Sequence, residues 1–291
     1  MTKVISLPVT NWEQSFSTGE QDIAIHALER GNILWFPQLG FPMQLGEDQL
    51  LTPAIAGKGK NVSLDPKSGA VRGTSADEAE GKLLQGMIQR YATTSRALLG
   101  KLFPRYEAGL LQARTSFRPT EIAGRPTSWR QDDTRLHVDS FPSSPTHGTR
   151  ILRIFTNINP HGKSRQWRVG ESFEAVARRY LPSMPAPLWG VNHVLNALGL
   201  TKSLRTPYDH YMLHLHDRMK ADVAYQAESA QSTHEFQPGC TWMVFTDQAS
   251  HAAMTGQYAL EQTFHLQLGN MLDPAQAPLR VLERLLSREL A

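Results

Sequence analysis

The amino-acid sequence predicts an α+β protein, a β-sandwich or barrel with flanking helices. Three observations carry that reading. From about residue 108 to 270 the chain runs through short strand-like segments separated by Gly/Pro turns, a spacing that suits a sandwich or barrel better than a parallel sheet. Helical periodicity falls on the flanks and on one insertion, about 171–222. With 40% hydrophobic and 8% aromatic residues, the 291-residue chain has the means to bury a core, which excludes a disordered protein.

In chain order, "MTKVISLPVTNWEQSF" lacks the unbroken apolar stretch of a signal peptide. The most apolar later run, "GNILWFPQLGFPM", is interrupted by Pro37 and Pro42, so the expectation is a soluble, cytoplasmic protein. Ile33 to Phe36 reads as a strand, and residues 56–73 read as a mobile glycine- and lysine-rich loop. Its "GKGK" has neither the spacing nor the Ser/Thr of a phosphate loop. Ser75 and Glu78 form a capping-box pattern for a helix over about 76–102, in which Leu84, Met87, Ile88, Tyr91, Leu98 and Leu99 recur at helical spacing. That helix is expected to cover a sheet.

The strand-like runs are "LLQARTSF", "TRLHVDSF", "RILRIFTNI", "RQWRVG", "TWMVFTD" and "LEQTFHLQL". At the C-terminus, Leu279, Leu282, Leu285, Leu286 and Leu290 make an apolar stripe suited to packing on the body. We read 1–291 as a single domain, with an N-terminal strand and helix cover (1–107), a core (108–270) and a terminal helix (271–291).

Charge and cysteine content narrow the function. The single cysteine, Cys240, excludes a disulfide framework and multi-cysteine metal sites, and suits a reducing compartment. There are 21 arginines against 9 lysines, and residues 114–179 carry a local excess of +6 within a chain of net charge +3. Guanidinium binds carboxylate and phosphate through a planar fork, so this segment suits an anionic ligand as well as a solvated surface. No nucleic-acid recognition motif is present, and no nucleic-acid partner is expected.

Inside the basic segment lies "TRLHVDSFPSSP". Side chains at i and i+2 of a strand point the same way, so His137 and Asp139 are able to offer one nitrogen and one oxygen to a single ion. They would equally serve as a polar pair on a wet sheet face. The best third ligand is His251, which opens a strand after the Pro238-Gly239 turn and an apolar run ending near Phe245. In a jelly-roll barrel such distant strands lie side by side. Two histidines and one carboxylate leave three positions open on a metal, the arrangement of non-haem Fe(II) oxygenases. A rival set, His210, His214 and His216 in "YDHYMLHLHDRMK", is better explained as a packed helix with exposed histidines, because Met212, Leu215 and Met219 recur at helical spacing after Thr206-Pro207.

"SWRQDDTRLHVDSFPSSPTHGTRILRIFTNINP", "WRVGESFE", "DRMKADVAYQ" and "TWMVFTDQASHAAMTGQYALEQTFHLQ" resemble the Kdo hydroxylase family, over about residues 30–270. The resemblance implies a double-stranded β-helix (jelly-roll, cupin-like) core, Fe(II) held by His137, Asp139 and His251, and 2-oxoglutarate and O2 as cosubstrates. It also implies hydroxylation at C3 of 3-deoxy-D-manno-oct-2-ulosonic acid (Kdo) on a lipid A precursor of Gram-negative lipopolysaccharide. Peripheral contact with the inner face of the inner membrane is a further expectation, for which the "AGKGK" loop is a candidate.

In one respect the sequence departs from the wider superfamily. The Arg or Lys that commonly anchors the far carboxylate of 2-oxoglutarate, about ten residues after the distal histidine, is missing from "AAMTGQYALEQTF". Arg168 and Arg165 in "GKSRQWRVG" are the candidates in its place, with Arg153 behind them. Arg114, Arg118 and Arg130 are candidates for the sugar carboxylate or lipid phosphates. A protein hydroxylase on the same fold and a metal-free barrel for anionic sugars are the alternative functions.

Overall fold

The computed structural model describes residues 1–187 and 203–291, and in them the strand-like runs pair into two sheets. The larger contains Val4–Ser6 (β1), Ile33–Phe36 (β2), Val62–Leu64 (β3), Val71–Arg72 (β4), Leu110–Arg118 (β5), Arg150–Asn157 (β6), Thr241–Phe245 (β9) and Ala259–Leu266 (β11). Its order is β1-β2-β9-β6-β11-β5-β3-β4. The smaller sheet holds Arg165–Val169 (β7), Ser232–Phe236 (β8) and His251–Ala253 (β10) in the order β10-β7-β8. Helices span Thr18–Glu29 (α1), Glu78–Leu102 (α2), Phe173–Tyr180 (α3), Pro207–Ala221 (α4), Val223–Glu228 (α5) and Pro278–Leu286 (α6).

The two-residue period of the strands decides what faces what. Leu152 and Ile154 of β6, Met243 and Phe245 of β9, and Leu260 and Phe264 of β11 join the cluster built on Leu84, Met87, Ile88, Tyr91, Leu98 and Leu99 of α2. The helix therefore covers one face of the large sheet. The alternate residues face the small sheet: Phe155, Trp242 and Val244 pack with Trp167, Val169 and Phe236. Here Phe236 and Trp242 stack with centroids 4.1 Å apart, and Phe155 lies 5.2 Å from both Trp167 and Trp242. Each such pair contributes roughly 0.5–1.5 kcal/mol beyond its buried area. This aromatic layer closes one part of the barrel, and the polar groups described below occupy the rest.

A third cluster lies on the outside of the small sheet, where α3, α4, α5 and α6 pack on Leu136, Val138 and Ala252. Leu279, Leu282 and Leu290 are buried there, with Leu285 and Leu286 packed against them, so the C-terminal stripe belongs to the body.

Several expectations need correction. "TRLHVDSF" is not a ladder strand; it joins the small sheet through one bridge, His137 to His251. Residues 56–73 are not a plain loop, because they contain β3 and β4, and β3 pairs with β5. The cap of α2 is Asp77 with Glu80, two residues beyond the Ser75/Glu78 pattern; the Ser75 hydroxyl is taken by the carbonyl of Ala54. β8, "STHEF", is a polar edge strand with no apolar alternation to announce it. The helical insertion is seen in α3 and α4, while its residues 188–202 lie outside those described.

Candidate metal centre

The bridge that ends "TRLHV" builds the site. His137 N–H donates to the His251 carbonyl at 3.0 Å, and His251 N–H returns the bond to His137 at 2.9 Å. Two residues on, Asp139 N–H donates to the Thr246 carbonyl at 2.8 Å, so the carboxylate follows its histidine to the same side. One ligand atom from each of His137, Asp139 and His251 falls within 4.8 Å of the other two. All three residues are buried, at 7%, 7% and 5% exposure.

Backbone carbonyls set the ring nitrogens. His137 Nδ1 lies 2.7 Å from the Arg135 oxygen and His251 Nδ1 2.8 Å from the Ala249 oxygen. A carbonyl only accepts, so each Nδ1 carries the hydrogen and each Nε2 presents its lone pair. Trp167 fixes the second ring further, stacking on His251 at 5.1 Å and 23°. Burial drives the His137 imidazole down to about 3 and His251 downward as well, opposed by Asp139, so both rings are neutral. Burial alone would raise Asp139, but Arg153 and then His137 hold its carboxyl well below the usual range. Two neutral imidazoles and an ionised carboxylate form a donor set suited to a divalent metal.

The residues fit such an ion in a further respect. Asp139 Oδ2 is buried and makes no well-angled hydrogen bond, although the Arg153 guanidinium is 3.0 Å away. A buried oxygen in that state is costly unless something else satisfies it. Among the described residues this is the one set of three or more His, Cys, Asp or Glu side chains that converges. His210 and His214 do approach each other, with ring centroids 4.4 Å apart, but His210 Nε2 is taken by the Pro185 carbonyl.

The arginines separate into distinct groups. Arg153 is in the barrel, between Asp139 and Glu261. Arg118 pairs with the same Glu261. Arg165 also faces inward, four residues along β7 from Val169, which stands opposite His251. Its Nη1 donates to the Gly256 carbonyl at 3.3 Å, its Nε has no partner, and burial followed by Arg118 pulls the group down to about 9. Arg168 projects from the opposite face of β7, where it donates to the carbonyls of Thr134 and Gln226 and to Gln231. It is therefore turned away from the triad. Arg114 is exposed near the β5/β11 register shift, and Arg130 is exposed, stacked on Trp129 at 4.1 Å and paired with Asp217.

Comparison with known proteins meets this geometry. The family profile described as 3-deoxy-D-manno-oct-2-ulosonic acid (Kdo) hydroxylase matches residues 11–289. The chain belongs to the Kdo hydroxylase family. Among solved structures it is similar to the Kdo hydroxylase KdoO, a non-haem Fe(II) alpha-ketoglutarate-dependent dioxygenase, in complex with alpha-ketoglutarate and Fe(III). That match has 47% identity and a TM-score of 0.96, and it covers 100% of this chain and 98% of the other. The cobalt(II) complex of KdoO matches at 48% identity and TM-score 0.96, and the apo form at 48% and 0.97, each covering 99% of this chain and 97% of the other. No curated protein matches the chain. The fold is accordingly the jelly-roll of Fe(II)/2-oxoglutarate dioxygenases, with the large sheet facing the small one.

Sequence reasoning missed one residue of this Kdo hydroxylase family member and underrated another. Glu261, ten residues after His251, points into the barrel and binds two arginines, so a carboxylate occupies the neighbourhood where a cationic anchor is common. Arg153 was visible only as a fallback, since its partners lie 14 and 108 residues away. His216, expected to be exposed, is a second correction: its ring stands 5.5 Å from that of His137 at 84°. The periodicity of α4 identified its packed face but not what lay beside it.

Proposed function

We propose that the chain is an Fe(II)- and 2-oxoglutarate-dependent dioxygenase that hydroxylates C3 of Kdo on a lipid A precursor, giving the 3-hydroxy sugar, succinate and CO2. The observation that carries the reading is the convergence of His137, Asp139 and His251 in a chain of the Kdo hydroxylase family. In this reading the two Nε2 atoms and the Asp139 carboxylate hold the iron, and all of residues 1–291 form one oxygenase domain. Bound Fe(II), with 2-oxoglutarate and O2, supplies the oxidising chemistry that replaces a C–H bond by C–OH.

The protein's own part is placement. Arg153 replaces Arg168 and Arg165 as the leading candidate for a cosubstrate carboxylate, because it lies in the barrel against the triad. With a metal held by Asp139, one prong of the Arg153 fork would be available to another carboxylate. Arg130 and Arg114, exposed on the surface, are the candidates for the anionic groups of the lipid-linked sugar; Arg118 is committed to Glu261. No described helix is long and apolar enough to cross a membrane. For peripheral contact at the cytoplasmic face of the inner membrane, Lys58 of the 56–61 loop is exposed, whereas Lys60 is engaged by Asp133 at 2.7 Å.

Turnover decides the matter. With Fe(II), 2-oxoglutarate and a Kdo-bearing lipid A precursor, the wild-type chain is expected to release CO2 and add one oxygen to Kdo, and His137→Ala and His251→Ala to do neither. Undiminished turnover in either variant removes the triad, and CO2 release without a heavier Kdo removes the substrate.

A further inference from the structure

We propose that His216 orients the acceptor sugar over the metal centre, as an imidazole held in place by Asp217 and, through it, by Arg130. The inference rests on the functional reading above and adds a residue outside the triad. α4 packs Met212, Leu215 and Met219 with Leu136 and Val138, on the outer face of the strand segment that carries His137. That segment is the open edge of the small sheet, and His216 comes round this edge to meet the His137 ring edge-to-face at 5.5 Å.

The ring is not loosely held. His216 Nδ1 lies 2.9 Å from Asp217 Oδ1, and Asp217 Oδ2 accepts from Arg130 Nε at 3.0 Å. Lys220, one turn further along α4 and almost fully buried, donates from Nζ to the Arg130 carbonyl at 2.9 Å. Burial favours a protonated Asp217, but hydrogen bonds from His216 and Arg130 keep its carboxyl below the usual range.

Asp217 Oδ1 accepts the Nδ1 hydrogen, which leaves Nε2 as the ring atom open to a ligand. Among the described residues no group bonds that Nε2. The His216 side chain is 12% exposed, enough for a ligand atom to reach, while that of Arg130 is 60% exposed at the other end of the ladder. A ring nitrogen next to His137 and a guanidinium fork nearer solvent match an acidic sugar, with a hydroxyl inside and an anionic group towards solvent. Packing alone requires neither the half-buried carboxylate behind the ring nor its second partner.

The test is His216→Phe, which keeps a ring against His137 and removes the ring nitrogens. With enzyme loaded with Co(II) and 2-oxoglutarate, the Kd for a Kdo-bearing lipid A precursor is expected to rise about tenfold, the loss of one hydrogen bond. Co(II) and 2-oxoglutarate affinities stay at wild-type values. In the Fe(II) enzyme, 2-oxoglutarate consumed per Kdo hydroxylated rises above one, and His216→Gln, which retains an acceptor, recovers part of the coupling. Unchanged acceptor affinity and coupling in His216→Phe overturn the proposal, as does a loss of Co(II) binding, which would make the residue a support of the metal site. A wild-type chain that consumes no 2-oxoglutarate overturns the functional reading instead, and the Co(II) binding comparison still decides His216.

Discussion

Arg153 and Asp139 meet inside the barrel, with Nη2 3.0 Å from Oδ2, and the other prong of the same guanidinium lies 3.3 Å from Glu261 Oε1. One cation thus separates two buried carboxylates, and Asp139 by itself would push Glu261 towards protonation. Removing it leaves Asp139 without its cation and Glu261 with Arg118 alone. Arg153→Met should cost about 3–5 kcal/mol of stability, the penalty of an orphaned buried charge. Denaturant unfolding of the metal-free protein measures it. Adding Glu261→Gln should return part of the loss; no return would mean that Glu261 is balanced by Arg118 alone.

Trp167 acts on the site through packing. It stacks on His251, and its Nε1 is buried without a partner, so replacing the indole sacrifices volume and ring contact but no hydrogen bond. Trp167→Phe is expected to cost about 1–2 kcal/mol of stability and to weaken Co(II) binding roughly tenfold, as outer supports of metal ligands do. Calorimetric titration separates the two effects, and an unaltered Co(II) affinity would show that the carbonyl of Ala249 orients the ring unaided.

Acid should loosen the segment that carries His137 and Asp139. Burial raises the Asp133 carboxyl, but Lys60 and then Arg118 overcome it and hold the group far below its ordinary value. Its folded-state pKa is below the unfolded one of about 3.9, so the unfolded chain binds more protons in acid. The contribution is complete above about pH 4 and is lost as pH falls below that. With the pair partly exposed, Asp133→Asn should cost about 1 kcal/mol at pH 7. Thermal melts from pH 7 to pH 3 should show the gap between wild type and variant closing as the solution becomes acid.

Cys240 gives a probe of global unfolding. It is fully buried, and burial pushes its thiol up to about 12. The thiolate is the reactive form, so the native protein should resist a thiol-directed disulfide reagent at pH 8 and react only through opening. Labelling at the rate of a free thiol under native conditions would contradict this packing.

What the sequence made legible was whatever depends on short-range pattern. β5, β6, β7, β9 and β11 coincide with the apolar runs, because each has one face committed to a core. His137 and Asp139 were recognisable as a pair from their spacing, and His251 from the turn and apolar run before it. The missed features depend on contacts across the fold. β8 is polar because it lies at the edge of the small sheet, "TRLHVDSF" looked like a ladder strand although only one bridge forms, and Ser75 lost its cap to Asp77 when its hydroxyl found Ala54. Arg168 and Arg165 stood out by sequence proximity, yet the period of β7 sends one outward and leaves the other four residues from Val169. Helical spacing likewise marked the buried side of α4 and was silent about the ring that His216 would meet.

The reciprocal backbone bonds between His137 and His251 also bear on the order of assembly. His137 and Asp139 are neighbours in any conformation of the chain, but His251 joins them only when residues 114 apart in sequence are zipped together. Closing so long a loop comes late, after the local contacts have formed. A nascent or partly folded chain therefore offers a metal no more than a weak two-point chelate, and the three-point cage exists only in the finished barrel. Metal capture becomes a report of completed folding, with the binding free energy added to the stability of the closed state alone.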